Sequence, residues 1–457
     1  MNQYAEDYQD LKDFFSGERA VKAEGERYTP RLEGQKDPKA YQRYVDFGIL
    51  FNALSRTRQG LKGAIMRKPI DIQFPESKKD ILDDIMRNGA SFNDLTRDIC
   101  DAVLGYGRIG VLVDLDEQEQ PYCAEYDAMS ILKAHKKGND QTILLKEMIE
   151  QLDPDDPDKT KWIEQHRKLE LVNGVHVVTL YQKEAKSDGE FLPIPSTPDA
   201  PNPSIPKYKG KSLNYIPFTF FGAANNNPEP SRPPLLDLLC LMKGHWKLTV
   251  AYQYSLHMCS LPTPIMAGFS FQDGESIPLG PGVTHHTPEP NGKAYFMQTG
   301  GAGLQSVENG LDRLEKQMAT IGARLLESQK VGIEAAETVR LRSSGDNATL
   351  ADVAGNIEDG LTDVLKNIGF WMGISHQECI VSVNKDFIST RLSAQDTAAL
   401  LQAVQAGKIS EETFIYNLIQ GEILRPGKTI EEEQEDIDED RAKAELNGGG
   451  LSGAFRG

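Results

Sequence analysis

The sequence predicts an α+β protein. Between residues 108 and 221 apolar positions alternate, and Asn173-Gly174 separates two such runs, the strongest short hairpin signal. From residue 234 onward the period changes to that of helices, with three long stretches in succession. Strands first and long helices afterwards, without strict alternation, is the pattern of an α+β chain.

Composition sets the limits. The chain has 457 residues, room for two to four structural units or one elongated multi-part subunit. Its 50 Lys and Arg against 68 Asp and Glu leave a net charge of −18. A static grip on duplex DNA comes from neutralised phosphates and needs a basic surface. The acidic balance argues against such a domain, though not against DNA that slides past without sticking. Cysteines stand at 100, 123, 240, 259 and 379 with no CxxC spacing. That excludes a zinc ribbon or disulfide framework and predicts a reducing compartment. The acidic, mixed opening MNQYAEDYQDLKDFF predicts no signal peptide. No run of 18 apolar residues occurs, so no membrane span is predicted.

Residues 1–36 are polar and read as an arm with a short helix. A long helix is predicted from Asp37-Pro38, where Asp caps and Pro suits the first turn. Phe47, Leu50, Phe51, Leu54, Leu61 and Ile65 follow at helical spacing. Arg56, Arg58, Lys62, Arg67 and Lys68 stand at its end with no acid among them. They either complement the helix C-terminus or face a phosphate or partner. A short strand is predicted over 70–74, a helix over 91–104 and a strand over 108–114. Further strands are expected near 120–126, 142–149, 168–172, 175–180 and 215–221. Residues 193–206 hold six prolines and read as an extended loop.

Pro233-Pro234 opens a 26-residue helical stretch over 234–259, about 39 Å long. Residues 260–303 are rich in Gly and Pro, with strand-like pieces at 265–271 and 294–297. A helix over 304–327 carries Leu304, Val307, Leu311, Leu314, Met318, Ile321 and Leu325, alternately three and four apart, a strict heptad stripe. Two long helices bracketing a small β-rich insertion predict an antiparallel hairpin. Residues 328–346, with Gly332, Ser343, Ser344 and Gly345, read as irregular. A third helix is predicted over 347–372, carrying Leu350, Val353, Ile357, Leu361, Val364, Leu365, Ile368 and Trp371. A strand over 381–387 and a helical hairpin about Gly407-Lys408 follow, with Ser410 as a cap. Residues 431–445 hold nine acids against two bases, and the tail to 457 reads as solvated and partly disordered.

Motif by motif, no chemistry is advertised. Gly105-Tyr-Gly107-Arg-Ile-Gly110 matches GxGxxG, but a dinucleotide site needs strand, glycines, helix, and here a helix comes first. Gly427-Lys428-Thr429 imitates a P-loop end, yet position 422, where the first glycine belongs, is Glu422. His285-His286 lies in a Gly/Pro loop without a Cys or Asp at ligand spacing. No HExxH or GxSxG appears. The expectation is no catalytic residue, no metal and no cofactor.

The order of parts carries a resemblance. Tyr28-Thr-Pro-Arg-Leu-Glu-Gly34, Phe51-Asn-Ala-Leu-Ser-Arg-Thr57, Met66-Arg-Lys-Pro69, Arg232-Pro-Pro-Leu-Leu-Asp-Leu238 and Leu261-Pro-Thr-Pro264 resemble strings of a portal-like family. Ser344-Gly345-Asp-Asn-Ala348-Thr-Leu350 and Gly407-Lys-Ile-Ser410-Glu-Glu-Thr413 resemble the long-helix opening and C-terminal turn of tailed-phage portal proteins. Together they span residues 28–424. The resemblance implies an N-terminal arm (1–36), a wing (37–232), stem helices (233–259 and 304–327) and a clip (260–303). It further implies a tunnel loop (328–346), a long inner helix with a return strand (347–389), a crown (390–430) and an acidic flexible tail (431–457). One departure is a short crown.

The function so implied is a ring, of twelve subunits in the family, at one capsid vertex. It would conduct double-stranded DNA in packaging and ejection, assemble in the host cytoplasm and reside in the virion. The implied partners are the terminase large subunit, head-completion, adaptor or tail proteins, and the major capsid protein, with no membrane. Lys330, Arg340 and Arg342 are the expected DNA-facing residues, and the heptad stripe the expected oligomer seam. The alternatives are another virion structural protein, from tail or scaffold, or a nucleic-acid-acting packaging enzyme. The last would need a P-loop and an acidic metal cluster.

Overall fold

The computed structural model describes residues 3–138, 140–153, 156–183, 190–198, 200–260, 263–269, 286–297, 303–326, 336–385, 387, 394–420, 423–424 and 429–448. Its first elements are two packed helices, α1 (Ala5–Ser16) and α2 (Glu18–Ala23), where an arm was expected. Tyr8, Leu11, Phe14 and Val21 are completely buried. Two acids of this polar stretch are buried: the Tyr28 hydroxyl donates to Asp10 Oδ1 at 2.9 Å and to Asp13 Oδ2 at 2.6 Å.

The long helix expected from residue 37 is two helices, α3 (Pro38–Asp46) and α4 (Ala53–Ile65). Asp37 caps α3 by accepting from the amides of Lys39 and Ala40, with Pro38 in the first turn. The break has a tertiary cause. Gly48 faces the indole of Trp246, and a Cβ at 48 would stand 2.3 Å from Trp246 Cη2. Leu50 N donates to Glu18 Oε2, and Asn52 caps the second helix by accepting from Ser55 N.

After β1 (Asp71–Gln73) comes α5 (Phe92–Tyr106), opened by a reciprocal capping box between Ser91 and Asp94. It ends at Gly107, whose φ of 74° is the left-handed cap, and β2 (Arg108–Leu115) follows at once. The glycine motif thus sits between helix and strand. Next are β3 (Pro121–Asp127), β4 (Ile131–Lys137), β5 (Asp140–Asp153), β6 (Asp156–Val172), β7 (Val175–Lys183), β8 (Phe191–Pro193), β9 (Lys207–Tyr208), β10 (Lys211–Ser212) and β11 (Phe218–Gly222). Strands β4 to β8 form an antiparallel meander in sequence order. The turn between β6 and β7 is Asn173-Gly174, both at positive φ, as the dipeptide predicts. The second sheet has the order β11-β2-β3. Leu112, Ile131, Ile143, Leu145, Leu169 and Phe218 belong to one buried cluster that joins the two sheets. β4 was not legible, since only Ile131 of its residues is buried and Lys, Ala, His, Lys, Lys end it.

The second half is helical: α6 (Leu236–Ser260), a two-stranded antiparallel sheet of β12 (Thr263–Ala267) and β13 (Lys293–Met297), α7 (Leu304–Leu326) and α8 (Ala336–Met372). The expected tunnel loop over 328–346 is contradicted in its second part. Residues 336–346 continue α8 toward the N-terminus, while 327–335 lie outside the described residues. One glycine costs about 1 kcal/mol relative to Ala in a helix interior, and serine less, so Ser343-Ser344-Gly345 does not stop a 37-residue helix. From α8 the chain returns as β14 (Ile380–Ser382), which pairs antiparallel with β1. The α+β part therefore closes only with residues from beyond 372.

The chain divides into two units, Met1–Lys385 and Asp386–Gly457. In the second, α9 (Ala394–Gln405) and α10 (Glu411–Gln420) flank Gly407, at φ 64°, and Ser410 Oγ accepts from Thr413 N at 3.1 Å. The tail, expected to be solvated and partly disordered, is helical over α11 (Ile430–Gly448). Thr429 and Glu432 cap it reciprocally, and Glu431, Glu432 and Glu433 lie at the positive end of the helix dipole, where acids stabilise. Residues 449–457 lie outside the described residues.

Candidate functional site

Helices α6 and α7 pack together, as two long helices bracketing a small β-rich insertion predict, and the sequence of α7 explains the packing. Val307, Leu311, Leu314 and Ile321 are half-buried and Met318 is buried, whereas Glu308, Asp312, Lys316 and Thr320 are exposed. The stripe meets α6 where glycines let the helices approach. Leu314 Cδ1 would lie 3.8 Å from a Cβ at Gly244, and Leu248 Cδ1 3.5 Å from one at Gly310. His245 Nε2 and Glu315 Oε1 join the two helices at 3.1 Å. Within the expected seam of Leu304, Val307, Leu311, Leu314, Met318 and Ile321, Leu314 therefore has a partner inside the chain. Of the Leu325 side chain nothing is described.

The N-terminal helices brace α6 from the other side. Asp10 accepts from Lys243 Nζ and from Arg27 Nε at 2.8 Å. Burial alone would raise the Asp10 carboxyl, but hydrogen bonds from Lys243, Arg27 and Tyr28 outweigh it and hold the group below the usual carboxylate range. Trp246, fully buried, donates from Nε1 to Thr29 Oγ1 at 2.9 Å. Tyr44 and Phe47 stack edgewise on Tyr254. None of these partners of α6 was expected from sequence. The signal available was the helical spacing of Tyr8, Leu11 and Phe15 among the acids.

Beyond Val250 burial falls away. Leu256 and Met258 are exposed near the end of α6, and Tyr295 and Phe296 are exposed on β13. On the outer side of the hairpin an open groove is lined by Asp237, Asp312, Arg313, Lys316 and Gln317. Two long helices thus present charge along their length and carry an aromatic-bearing sheet at one end.

Helix α8 is held against the three-stranded sheet. Val353, Ile357, Leu361, Val364, Leu365 and Ile368 are buried, and the Phe221 ring rests on Gly360. Asn356 Nδ2 donates to the carbonyls of Gly222 and Ala223, and Asn226 Nδ2 donates to Asn356 O at 2.7 Å. Of the expected DNA-facing residues, Lys330 lies outside the described residues. Arg340 and Arg342 lie on the helical backbone of α8, and nothing is described of their side chains.

The basic run after residue 56 is largely spoken for. Arg58 and Lys62 both pair with Asp101, and the Arg58 guanidinium lies over Phe15, 3.9 Å from its centroid. Only Arg56 is exposed. Among the described residues no three His, Cys, Asp or Glu converge as a metal would require. Cys100, Cys123 and Cys379 are buried, and burial pushes the Cys100 thiol up to about 12, the opposite of an activated thiolate. His285 lies outside the described residues and His286 is exposed. No described helix is long and apolar enough to cross a membrane.

A family model described as a domain of unknown function, DUF4055, matches residues 234–372, which run from the start of α6 to the end of α8. No curated protein matches the chain. Among solved structures, one titled as the neck of an empty GTA particle computed with C6 symmetry is similar at 11% identity and a TM-score of 0.40. It covers 87% of this chain and 97% of that one. The neck of a native GTA particle computed with C12 symmetry is similar at 12% identity and a TM-score of 0.38, covering 88% and 98%. The virion of a native gene transfer agent particle is similar at 10% identity and 0.37, covering 86% and 96%. Residues 234–372, matched by one family model, take in α6, the β12–β13 sheet, α7 and α8.

Proposed function

We propose that this chain is a portal-type subunit: a non-enzymatic protein that assembles into a ring at the head-to-tail junction of a virion and conducts double-stranded DNA. One observation carries the reading. A helical hairpin, α6 and α7, is interrupted at its far end by the small sheet β12–β13 and is followed by a 37-residue helix lodged against the wing-like sheet. That is the stem, clip and inner-helix order which the sequence strings at 232–238, 261–264 and 344–350 resemble. The reading puts this chain in the setting named for the compared structures, a particle's neck, but it rests on the element order.

The physical properties agree with a conduit. A net charge of −18 suits a channel from which DNA is repelled rather than held. The charged outer groove of the hairpin, with Asp237 and Asp312 beside Arg313 and Lys316, supplies both signs for a neighbouring subunit. Packaging motor, tail or adaptor proteins and capsid protein would be its partners. Negative-stain imaging with light scattering on the purified chain is the test. Rings with a central hole, near twelve subunits by mass, are expected. A monomer at every concentration, or filaments without a hole, would overturn it.

A further inference from the structure

The three-stranded sheet has an edge with an unfilled place in it. Its order is β11-β2-β3, so β11 pairs with β2 alone. Pro217 O accepts from Val113 N at 2.9 Å, and Ala223 N donates to Gly107 O at 3.2 Å. In an antiparallel ladder such bonded pairs alternate with unbonded ones, so the odd residues of β11 bond β2. The even residues 218, 220 and 222 turn their N–H and C=O groups to the free edge.

The chain itself closes both ends of that edge. Gly222 N donates to Asn226 Oδ1 at 3.2 Å, and Gly222 O accepts from Asn356 Nδ2 at 3.3 Å. Phe218 N donates to Ile216 O at 2.8 Å. Between these, the Phe220 N–H, the Phe220 C=O and the Phe218 C=O have no partner among the described residues. Phe220 is only 5% exposed, and an unpaired main-chain group shut away from water costs as much as a lost hydrogen bond.

A cleft of about 990 Å³ runs along this gap. Phe218, Thr219 and Phe220 all line it, and successive side chains point to opposite faces, so a space that touches three in a row follows the strand's edge. Thr219 is 9% exposed, and among the described residues its hydroxyl has no partner. Neither have the side-chain amides of Gln141, Asn173, Asn214 and Asn227, nor the Tyr215 hydroxyl, which burial pushes up to about 12; all five residues line the cleft. The charges that line it nearly cancel: Lys136 offsets Asp140, and Asp363 pairs with Lys366 at 3.2 Å. Nothing there selects a phosphate chain or any other polyion.

Main-chain donors and acceptors on alternate residues of a strand are matched by the main chain of another extended polypeptide. Because β11 is buried along its whole length, the edge lies at the floor of the cleft, where a single extended segment fits and the edge of a second folded sheet does not. The described strands of this chain all belong to sheets, and its extended loop over 193–206 holds six prolines, which have no N–H to give. We infer that β11 accepts an extended segment of a different protein as a fourth strand, the residue opposite Phe220 exchanging two main-chain hydrogen bonds with it. The site stands whether or not the chain forms rings.

The test selects heptapeptides from a random displayed library on the full chain, with N214W as the counter-selection. The best peptide, labelled with a fluorophore, should then bind N227W at least about tenfold more weakly than the parent in anisotropy titrations. Asn214 and Asn227 are exposed, so the thermal midpoints of both variants should stay near the parent's. D140K should bind within about threefold of the parent, because charge does not select the ligand. The peptide's amides are next methylated one at a time, which needs no variant of the protein. Loss should recur at every second residue, at least about tenfold opposite Phe220 and within about threefold at its neighbours. The Phe220 amide, unpaired in the free chain, should exchange at least about tenfold more slowly with peptide bound. No peptide that N227W weakens, a methylation scan without the two-residue period, or an unchanged Phe220 exchange rate overturns the site. Twelve-residue peptides tiled over this chain are the last arm. One that binds as tightly, with the same period, makes a second copy the occupant and overturns the assignment to a different protein.

Discussion

Gly48 and Trp246, 198 positions apart in sequence, are in face-to-backbone contact: the indole covers the glycine so closely that a methyl group has no room. The first consequence is a prediction about stability. Gly48→Ala would set its Cβ 2.3 Å from Trp246 Cη2, and the ring is pinned by its bond to Thr29. Relief requires moving α6 or the 47–52 connection, at a cost of about 2–3 kcal/mol. Thermal unfolding of the variant should show a midpoint lower by several degrees, and an unchanged midpoint would mean that the ring is free to move.

Asp10 gives a pH-dependent prediction. Its carboxyl is depressed in the fold, so its contribution is present above the ordinary carboxylate range and is lost as pH falls through the folded value. Asp10→Asn leaves Lys243 and Arg27 without their shared anion and should cost about 2–4 kcal/mol at pH 7. The difference from the parent should shrink below about pH 4. Denaturant titrations at pH 7 and pH 3.5 measure it, and an equal gap at both would count against the network.

Glu125 behaves in the opposite sense. Burial, with a smaller push from Asp98, raises its carboxyl to about 7, and among the described residues its Oε1 has no hydrogen-bond partner. The neutral acid is therefore favoured in the fold. Its contribution is complete below the unfolded value near 4.5 and is lost as pH rises through about 7. Glu125→Gln should leave stability at pH 5 nearly unchanged and add about 2 kcal/mol at pH 8.5. A gain that is equal at both values would point to packing and not to charge.

The heptad stripe separates folding from assembly. Leu314 faces Gly244 within the hairpin, so Leu314→Asp should lower the thermal midpoint as well as abolish rings, costing about 2–4 kcal/mol. Arg313→Glu with Lys316→Glu alters only the open groove. It should leave stability within about 0.5 kcal/mol while weakening assembly. If the pair instead unfolds the protein, the groove is internal support.

The features legible in the sequence are those whose cause is local. The Asn173-Gly174 turn, the Ser91 cap, the 304–327 stripe and the apolar face of α8 each announce themselves within a few residues. The features that escaped have partners far away. Residues 1–36 read as a polar arm until Lys243 is beside Asp10, and residues 37–68 read as one helix until Trp246 is placed against Gly48. Ser343-Ser344-Gly345 reads as a break because its cost is visible locally, whereas the helix around it is not. Arg340 and Arg342 were assigned to a loop on that ground. The acids after Glu431 read as repulsive, though three of them crowd the one helix end that favours them.

The pairing of β1 with β14 dictates an order of events during synthesis. Residues 71–73 find their partners at 380–382, and Phe221 finds its cover at Gly360. At a ribosomal rate of about 5–20 residues per second, β1 waits about 15–60 s for its strand. For about 7–28 s of that wait, from residue 222 until residue 360 is made, the two sheets are present but α8 is not, and the Phe-rich strand β11 lacks its cover. A nascent chain halted before α8 is therefore a sheet with an open face. Holding that face apart from neighbouring nascent chains is the step on which the yield of folded subunits depends.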